Sequence, residues 1–488
     1  MFTSTMFASI LPEILILVLG ILILVVEPFW KEEKRRNVGW LTAGGLFAAM
    51  IISLIFGQPG EPTNTLGGMV RFDWLGFFFK MLFMFAGAAT ALLFMDNEKI
   101  GHRGEAYLLL LASLLGMDLM AASADLVMLY LSIETTSIPL YILSGFMLSD
   151  SKSTEAGFKY LLFGAMASAI MLYGFSLIFG FAGTTNLYQL ADMLQSGELT
   201  TLSAFGVMAL ILVGLGFKVS FVPFHFWAPD VYEGAPTPVS GFLSTASKAA
   251  GFAVLVRLFF VAFPNFAESW TVVLAVISAV TMSVGNLLTL QQTNIKRLLA
   301  YSSIAHAGYA LIGVVAFSRG LANKELGAAS VIFYLAAYIA TNLLAFGIVM
   351  AFSRVTGLDD IKDYAGMSRR SPWLALMMLA AFLSLAGMPP FGGFVAKVFV
   401  FAAGVQAGYV WLVIVGIINS IIGVYYYLNV LKFVYLYRMP NEDEENLPIP
   451  LTRPYVIALA VLAIGVVLIG TVFAPWFSWS NAAALTLF

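Results

Sequence analysis

FKVSFVPFHFWAPDVYEGAPTPVSGFLSTASKAAGFA, residues 217–253, sets Lys218, Pro223, His225 and Lys248 into strongly apolar surroundings. A proline inside a helix removes one backbone hydrogen bond and clashes with the preceding turn. At membrane depth such a break survives only where protein or a water-filled cavity satisfies the freed backbone groups. The stretch SLAGMPPFGGFVAKVFVF, residues 384–401, repeats the theme, with Met388-Pro389-Pro390-Phe391-Gly392-Gly393 ahead of Lys397. Two broken, lysine-bearing helices in corresponding places are the sequence sign of an internally repeated membrane protein.

The rest of the chain agrees. Of its 488 residues, 60% are hydrophobic and 11% charged, with a mean hydropathy of +0.92, whereas soluble domains carry about 25% charged residues. Apolar stretches run from end to end without a polar linker, so the chain reads as one membrane domain, 1–488. A net charge of -2 leaves no basic surface for nucleic acid, and no glycine-rich phosphate loop follows a strand pattern. The absence of cysteine removes disulfides, thiolate nucleophiles and cysteine-ligated iron–sulfur clusters. The first apolar segment, from Ile10 to about Val26, has Glu13 near its start and no basic region before it, so it reads as a span rather than a signal peptide.

A helical span needs about 20 apolar residues. That ruler predicts 14 spans, roughly 10–28, 38–57, 72–95, 105–122, 125–148, 156–181, 203–230, 237–263, 269–291, 297–318, 327–352, 372–403, 408–435 and 453–475. The fold class is therefore an all-α polytopic membrane protein with about 14 transmembrane helices. Spans 4 to 8 and 9 to 13 superpose as two five-helix units whose fourth helix is broken and carries a lysine. Five is odd, so the two repeats run inverted. The implied divisions are 1–95 for three N-terminal helices, 105–263 and 269–435 for the repeats, and 453–488 for a C-terminal helix. Loops after spans 1, 3, 5, 9, 11 and 13 hold 17 Lys and Arg residues, against only Arg71, Arg319 and Lys324 on the other side. The positive-inside rule then puts both termini outside.

Five basic residues remain within spans: Lys80, Lys218, Lys248, Arg257 and Lys397. Burying an ionisable group is costly unless it is paired or neutralised, so such residues mark ion or proton pathways. Burial disfavours an ammonium and a nearby carboxylate restores it, so a lysine poised between the two takes up and releases protons near neutral pH. Lys218, Lys248 and Lys397 lie far from the predicted span ends, which argues against snorkelling. Glu134 lies about 14 Å into span 5 at the helical rise, among hydroxyls in Leu131-Ser132-Ile133-Glu134-Thr135-Thr136-Ser137. Its alternatives are a structural ion pair or a protonated acid that fixes packing. Lys80 snorkels or pairs structurally; Arg257 stays charged at any pH and pairs with an acid or nears the headgroups. His225 and His306 sit where protons could be relayed, although a lone buried histidine is as often a hydrogen-bonded core residue. The acids and histidines lack the close spacing of a metal site. Trp227-Ala228-Pro229-Asp230-Val231-Tyr232-Glu233-Gly234-Ala235-Pro236-Thr237-Pro238 reads as a tight, proline-punctuated loop that holds Lys218 and Lys248 on neighbouring helices.

The run 217–253, the run NIKRLLAYSSIAHAGYALIG (294–313) and the run 384–401 closely resemble the subunit N family of the proton-pumping NADH:quinone oxidoreductase, respiratory complex I. The resemblance covers essentially the whole chain. It implies 14 helices with two inverted five-helix repeats. Glu134 matches the family's glutamate in the fifth helix, and Lys218, Lys248 and Lys397 its lysines in the seventh, eighth and twelfth. His225 and His306 match positions on its polar axis. A lysine at 397, and an end soon after span 14 without a long lateral helix, suit subunit N better than its L and M paralogues. The resemblance also implies no cofactor in this chain, with NAD, FMN, iron–sulfur clusters and quinone in partner subunits. The expected partners are other membrane subunits of that complex, neighbouring antiporter-like subunits included, and the lipid bilayer. The expected location is the cell inner (plasma) membrane. The mechanism so implied couples Glu134 to Lys218 and passes a proton through Lys248 and His306 towards Lys397. A subunit of a stand-alone multi-subunit sodium/proton antiporter would use the same charges without electron transfer. A structural scaffold would use them to lock helices together.

Overall fold

The structure, a computed structural model, describes residues 4–97, 99–196, 201–318, 321–438 and 448–487. Arg319 and the Lys324 side chain, two of the three basic groups on the sparser side, lie outside the described residues. Thirteen described helices are long and apolar enough to cross a membrane, and Pro372–Ala386 and Gly392–Gln406 are the two halves of one more. Fourteen spans result, with the twelfth split as expected.

Helix starts are written in the sequence by capping side chains. Asp73 accepts from the Gly76 amide (2.8 Å) ahead of span 3, Trp74–Phe94. Asp125 accepts from the Val127 amide (2.8 Å) ahead of span 5, Leu126–Ser144. Asn294 accepts from the Lys296 amide (2.9 Å) ahead of span 10, Ile295–Val315. Span 8 (Thr237–Ala262) and span 11 (Glu325–Thr356) are buried along their length, while spans 1, 2, 6 and 13 turn apolar side chains such as Leu24, Phe47, Phe158 and Ile421 outward. Lipid is as apolar as these side chains, so close packing rather than burial must draw spans together. Span 9 (Ala267–Thr289) shows how: a Cβ on Gly285 would lie 2.7 Å from the Ala305 amide nitrogen of span 10.

The breaks are built alike. Span 7, Thr201–Val219, ends where the Phe221 amide bonds the Gly216 carbonyl (3.1 Å) and the Ser220 amide bonds the Phe217 carbonyl (3.2 Å). The first half of span 12 ends with the same pair, Met388 to Leu383 (2.9 Å) and Gly387 to Ser384 (2.9 Å). Both are Schellman caps, which need a left-handed residue just past the helix. Gly387 supplies it at φ 83°, and Ser220 supplies it at φ 65°. In each case a proline follows three residues later, Pro223 and Pro390, and prevents the helix from resuming at once.

Three expectations need correction. Span 7 does not run to residue 230, because its helix stops at Val219. Trp227–Gly234 is a helix rather than a loop; Pro229 is tolerated because it stands in the first turn, where an amide has no intrahelical acceptor. The C-terminal region is two helices, Arg453–Thr471 and Phe473–Leu485, divided at Val472, whose ψ of 58° is non-helical.

Ion pairs between loops fix which helix ends lie together. Asp230 is held by Lys159 (2.6 Å) and Arg297 (2.8 Å), and Glu233 by Lys152 (2.8 Å) and Arg297 (2.9 Å). Asp96 binds Arg36 and, at 2.7 Å, Arg354. All these residues come from the ends that the basic loops assign to one side.

Candidate functional site

The structure sorts the five intramembrane cations into two kinds. Arg257 and Lys80 are paired with acids. The Arg257 guanidinium binds both Asp73 oxygens (2.7 and 2.9 Å) and donates to the Ala121 carbonyl and the Tyr188 hydroxyl. Lys80 Nζ lies 2.7 Å from Glu13 Oε1 and donates to the Ser9 carbonyl at 2.9 Å. Lys218, Lys248 and Lys397 are 5%, 1% and 5% exposed. Their bonds are to hydroxyls and carbonyls, with no acid at ion-pair distance among the described residues.

Lys218 Nζ donates to Ser137 Oγ of span 5 at 2.9 Å. It stands one residue before the end of its helix rather than in mid-span, yet the break keeps it buried. Glu134, one turn before Ser137, accepts a hydrogen bond from Ser168 Oγ of span 6, Ser151–Ala182. Its own helix neighbours Thr135, Thr136 and Ser137 instead donate back to carbonyls four residues earlier, as hydroxyls in helices commonly do. Glu134 and Lys218 make no direct ion pair. They line one small cavity with Ser137, Tyr141, Ser168 and Phe217, of about 10 Å³, about the room one water needs.

Lys218 and Lys248 are neighbours through span 8. A Cβ on Gly251 would come 3.2 Å from Lys218 Cγ, and Gly251 is one turn past Lys248. A π-helical turn, Leu243–Ser247, leads directly into Lys248; such bulges gather at functional positions. Lys248 Nζ donates to the Ser303 carbonyl (2.7 Å) and Ser303 Oγ (2.5 Å).

Ser303 lies one turn before His306 on span 10. His306 Nδ1 meets the Tyr334 hydroxyl at 2.6 Å, and Nε2 is 3.4 Å from the Tyr427 hydroxyl, which bonds Ser302. A second cavity of about 10 Å³ joins His306, Tyr334, Tyr338, Thr341, Ser384 and Leu385.

Lys397 closes the series. Its Nζ donates to the Leu385 (3.1 Å) and Ala386 (3.0 Å) carbonyls and to Ser420 Oγ (2.9 Å), and lies 4.8 Å over the Tyr309 ring. Those carbonyls belong to the last turn of the first half-helix, the negative end of its dipole, so the break builds a cation seat. Leu385 lines the His306 cavity, and its carbonyl is part of the Lys397 seat.

His225 is buried past the Pro223 break against Phe226 (4.4 Å between rings), and its Nδ1 has no hydrogen-bond partner. The hydrogen-bonded series does not include it. The sequence reading missed Ser168, Ser303, Tyr334, Tyr427 and Ser420 among the groups that hold the charges, and it placed Ser137 beside Glu134 where the structure gives it to Lys218. Their signal was present as hydroxyls in apolar spans, and the YSSIAH run carries Ser302, Ser303 and His306 within about one turn.

The whole chain is similar to known membrane proteins. A family described as NADH:quinone oxidoreductase/Mrp antiporter, transmembrane, matches residues 123–423. NADH-quinone oxidoreductase subunit N of Moorella thermoacetica is 43% identical over 98% of both chains, and that of Heliobacterium modesticaldum 40% over 99% of this chain and 100% of that one. A chain in the respiratory complex I of Thermus thermophilus solved with bound aureothin is 31% identical, with a TM-score of 0.80 over 96% of this chain and 98% of that one. A chain of the Mrp complex of Dietzia shares the fold, with a TM-score of 0.85 at 21% identity over 100% of this chain and 98% of that one.

Proposed function

The chain belongs to the NADH:quinone oxidoreductase and Mrp antiporter family of membrane subunits, and from that premise we propose that it is subunit N of a proton-pumping NADH:quinone oxidoreductase. In this reading it moves protons across the membrane while other subunits pass electrons from NADH to quinone. The observation that carries it is the triad of buried lysines held by hydroxyls and carbonyls instead of acids. A fully paired lysine is locked in its charged form, whereas hydroxyl partners accept from an ammonium and can donate to a neutral amine.

The path runs from Glu134 and Lys218 through Lys248 and His306 to Lys397. A water in the shared cavity joins Glu134 to Lys218, and movement of the glutamate resets the lysine's hold on its proton. Ser303 links Lys248 to the His306 turn, and the Leu385 carbonyl links His306 to Lys397. His225, at the span 7 break, serves the approach of water rather than the relay. The chain is a non-redox part of the enzyme; NAD, FMN, iron–sulfur clusters and quinone belong to partner subunits, including neighbouring antiporter-like ones. It sits in the cell inner membrane with both termini outside. Identity of about 40% or more over nearly the full length of chains named for quinone oxidoreductase favours this over a stand-alone antiporter.

The test is proton translocation in liposomes containing the intact complex. Glu134→Gln and Lys218→Ala are expected to lower the number of protons moved per electron. Unchanged pumping in both would sink the proposed path.

A further inference from the structure

A second set of buried ionisable groups stands apart from the lysine series, among spans 1, 3 and 4. Glu13 is in the first turn of Leu11–Val26, Lys80 in the second turn of Trp74–Phe94, and Asp118 in the last turn or so of Gly104–Ala122. All three are buried, Asp118 completely. Glu13 and Lys80 form an ion pair at 2.7 Å. Both Asp118 oxygens are buried without a hydrogen-bond partner, on a helix that packs against both the Glu13 helix and the Lys80 helix.

The charge count decides the chemistry. Two acids and one base, all removed from solvent, are neutral only if one acid holds a proton or a cation joins them. A lone buried carboxylate beside a like charge is strongly disfavoured. Glu13 is spoken for by Lys80, so the surplus falls on Asp118. We propose that Glu13, Lys80 and Asp118 form a proton-binding site in which Asp118 carries one exchangeable proton.

On its Lys80 side the cluster meets a small cavity. A cavity of about 10 Å³ lies between Lys80 and the Thr63–Phe72 hairpin, lined by Ser9, Gly57, Arg71, Phe72 and Asp73. Arg71 is partly exposed, with an 18% exposed side chain. Spans 1 and 3 begin here and span 4 ends here, on the face opposite the basic loops and so on the outer side. The other charges facing this cavity, Arg71 and Asp73, are tied to each other (4.0 Å), and Asp73 is also tied to Arg257. Neither arginine lies at ion-pair distance from Asp118, so neither neutralises its carboxylate. Arg257 stands on span 8, nine residues from Lys248, so the Lys248 helix also reaches Asp73 beside this cavity. The biological use of this site rests on the proton-pumping reading, but its protonation does not.

Infrared difference spectroscopy on the intact complex tests the protonation directly. A buried protonated carboxylic acid gives a carbonyl band that shifts in heavy water. Asp118→Asn should remove one such band, and Glu13→Gln should remove it too, because Lys80 then pairs with Asp118. Lys80→Met should instead add one band, doubling the signal, since both acids must then be neutral. The two acid variants preserve side-chain shape and leave a neutral cluster, so they are expected to assemble. A band unchanged in Asp118→Asn, a band that fails to shift in heavy water, or a band present only when sodium is withheld would overturn the site. None of these outcomes depends on whether Lys218→Ala pumps, so failure here and failure of the proposed path are separable.

Discussion

Gly387→Ala isolates the Lys397 seat. Gly387 has φ 83°, and an added Cβ would lie 2.8 Å from Lys397 Cδ and 3.1 Å from Nζ. An alanine in the left-handed region costs about 1–2 kcal/mol, and Lys397 must also withdraw from its place. Withdrawal breaks the bonds to Leu385 and Ala386. A hydrogen bond to a charged group contributes about 1.5–3 kcal/mol, so losing one changes the ratio of charged to neutral Lys397 by about ten- to a hundredfold. Gly183→Ala is the control. Gly183 has φ 67° with nothing within 4 Å of its Cβ position, so it carries the same backbone penalty far from the series. Both variants should lose similar thermal stability, measured by the melting of the purified complex. Proton pumping in liposomes should fall several-fold further in Gly387→Ala. Equal pumping by the two variants would refute the idea that the half-helix carbonyls set the Lys397 charge.

Two other outcomes follow from paired charges. Arg257→Leu leaves the buried Asp73 with only the 4.0 Å contact to Arg71, and breaking a buried pair by removing one partner costs about 3–5 kcal/mol; assembly of the complex, followed by native gel, should fail, and Asp73→Asn in the same chain should partly restore it. Burial alone would raise the Asp230 and Glu233 carboxyls above their ordinary 3.8 and 4.5, but Lys159, Lys152 and Arg297 hold both below them. A depressed carboxyl contributes stability that is present above its unfolded value and lost as pH falls through its folded value. The melting temperature should therefore drop below about pH 4, and Asp230→Asn with Glu233→Gln should flatten that acid limb while lowering stability at neutral pH.

The fold was legible because apolar length and proline leave few choices in lipid. Fourteen spans and both breaks follow from hydropathy and from Pro223 and Pro389-Pro390. What escaped was local. Trp227–Gly234 reads as a loop because proline and glycine bracket it, yet Pro229 falls in the one helical turn that needs no donor. The π-helical turn before Lys248 has no compositional mark. At the site, the charged residues were evident because charge in an apolar span is conspicuous. Their partners were not, since Ser137, Ser303 and Ser420 are small polar residues of a kind scattered through every span, and only three-dimensional placement separates those facing a lysine from those bonding their own backbone. The expected Glu134–Lys218 coupling also depends on a distance that spacing cannot give: the two share a cavity but make no direct ion pair.

The two broken helices use their lysines differently, and this bears on direction. Matching caps put Ser220 of span 7 in the place of Gly387 of span 12. Lys218 therefore precedes its break, while Lys397 follows its own. Lys397 faces back onto the exposed carbonyl end of the first half-helix, so its charge is stabilised by its own span. Lys218 belongs to the half-helix that ends, and its Nζ reaches across to Ser137 on the Glu134 helix. Its charge is thus answerable to a neighbouring span. In the proposed pathway this makes Lys218 the group that a shift of Glu134 can address, and Lys397 the group with a standing affinity for the proton that arrives. An inverted repeat with lysines at equivalent depths on the same side of each break would not supply that difference.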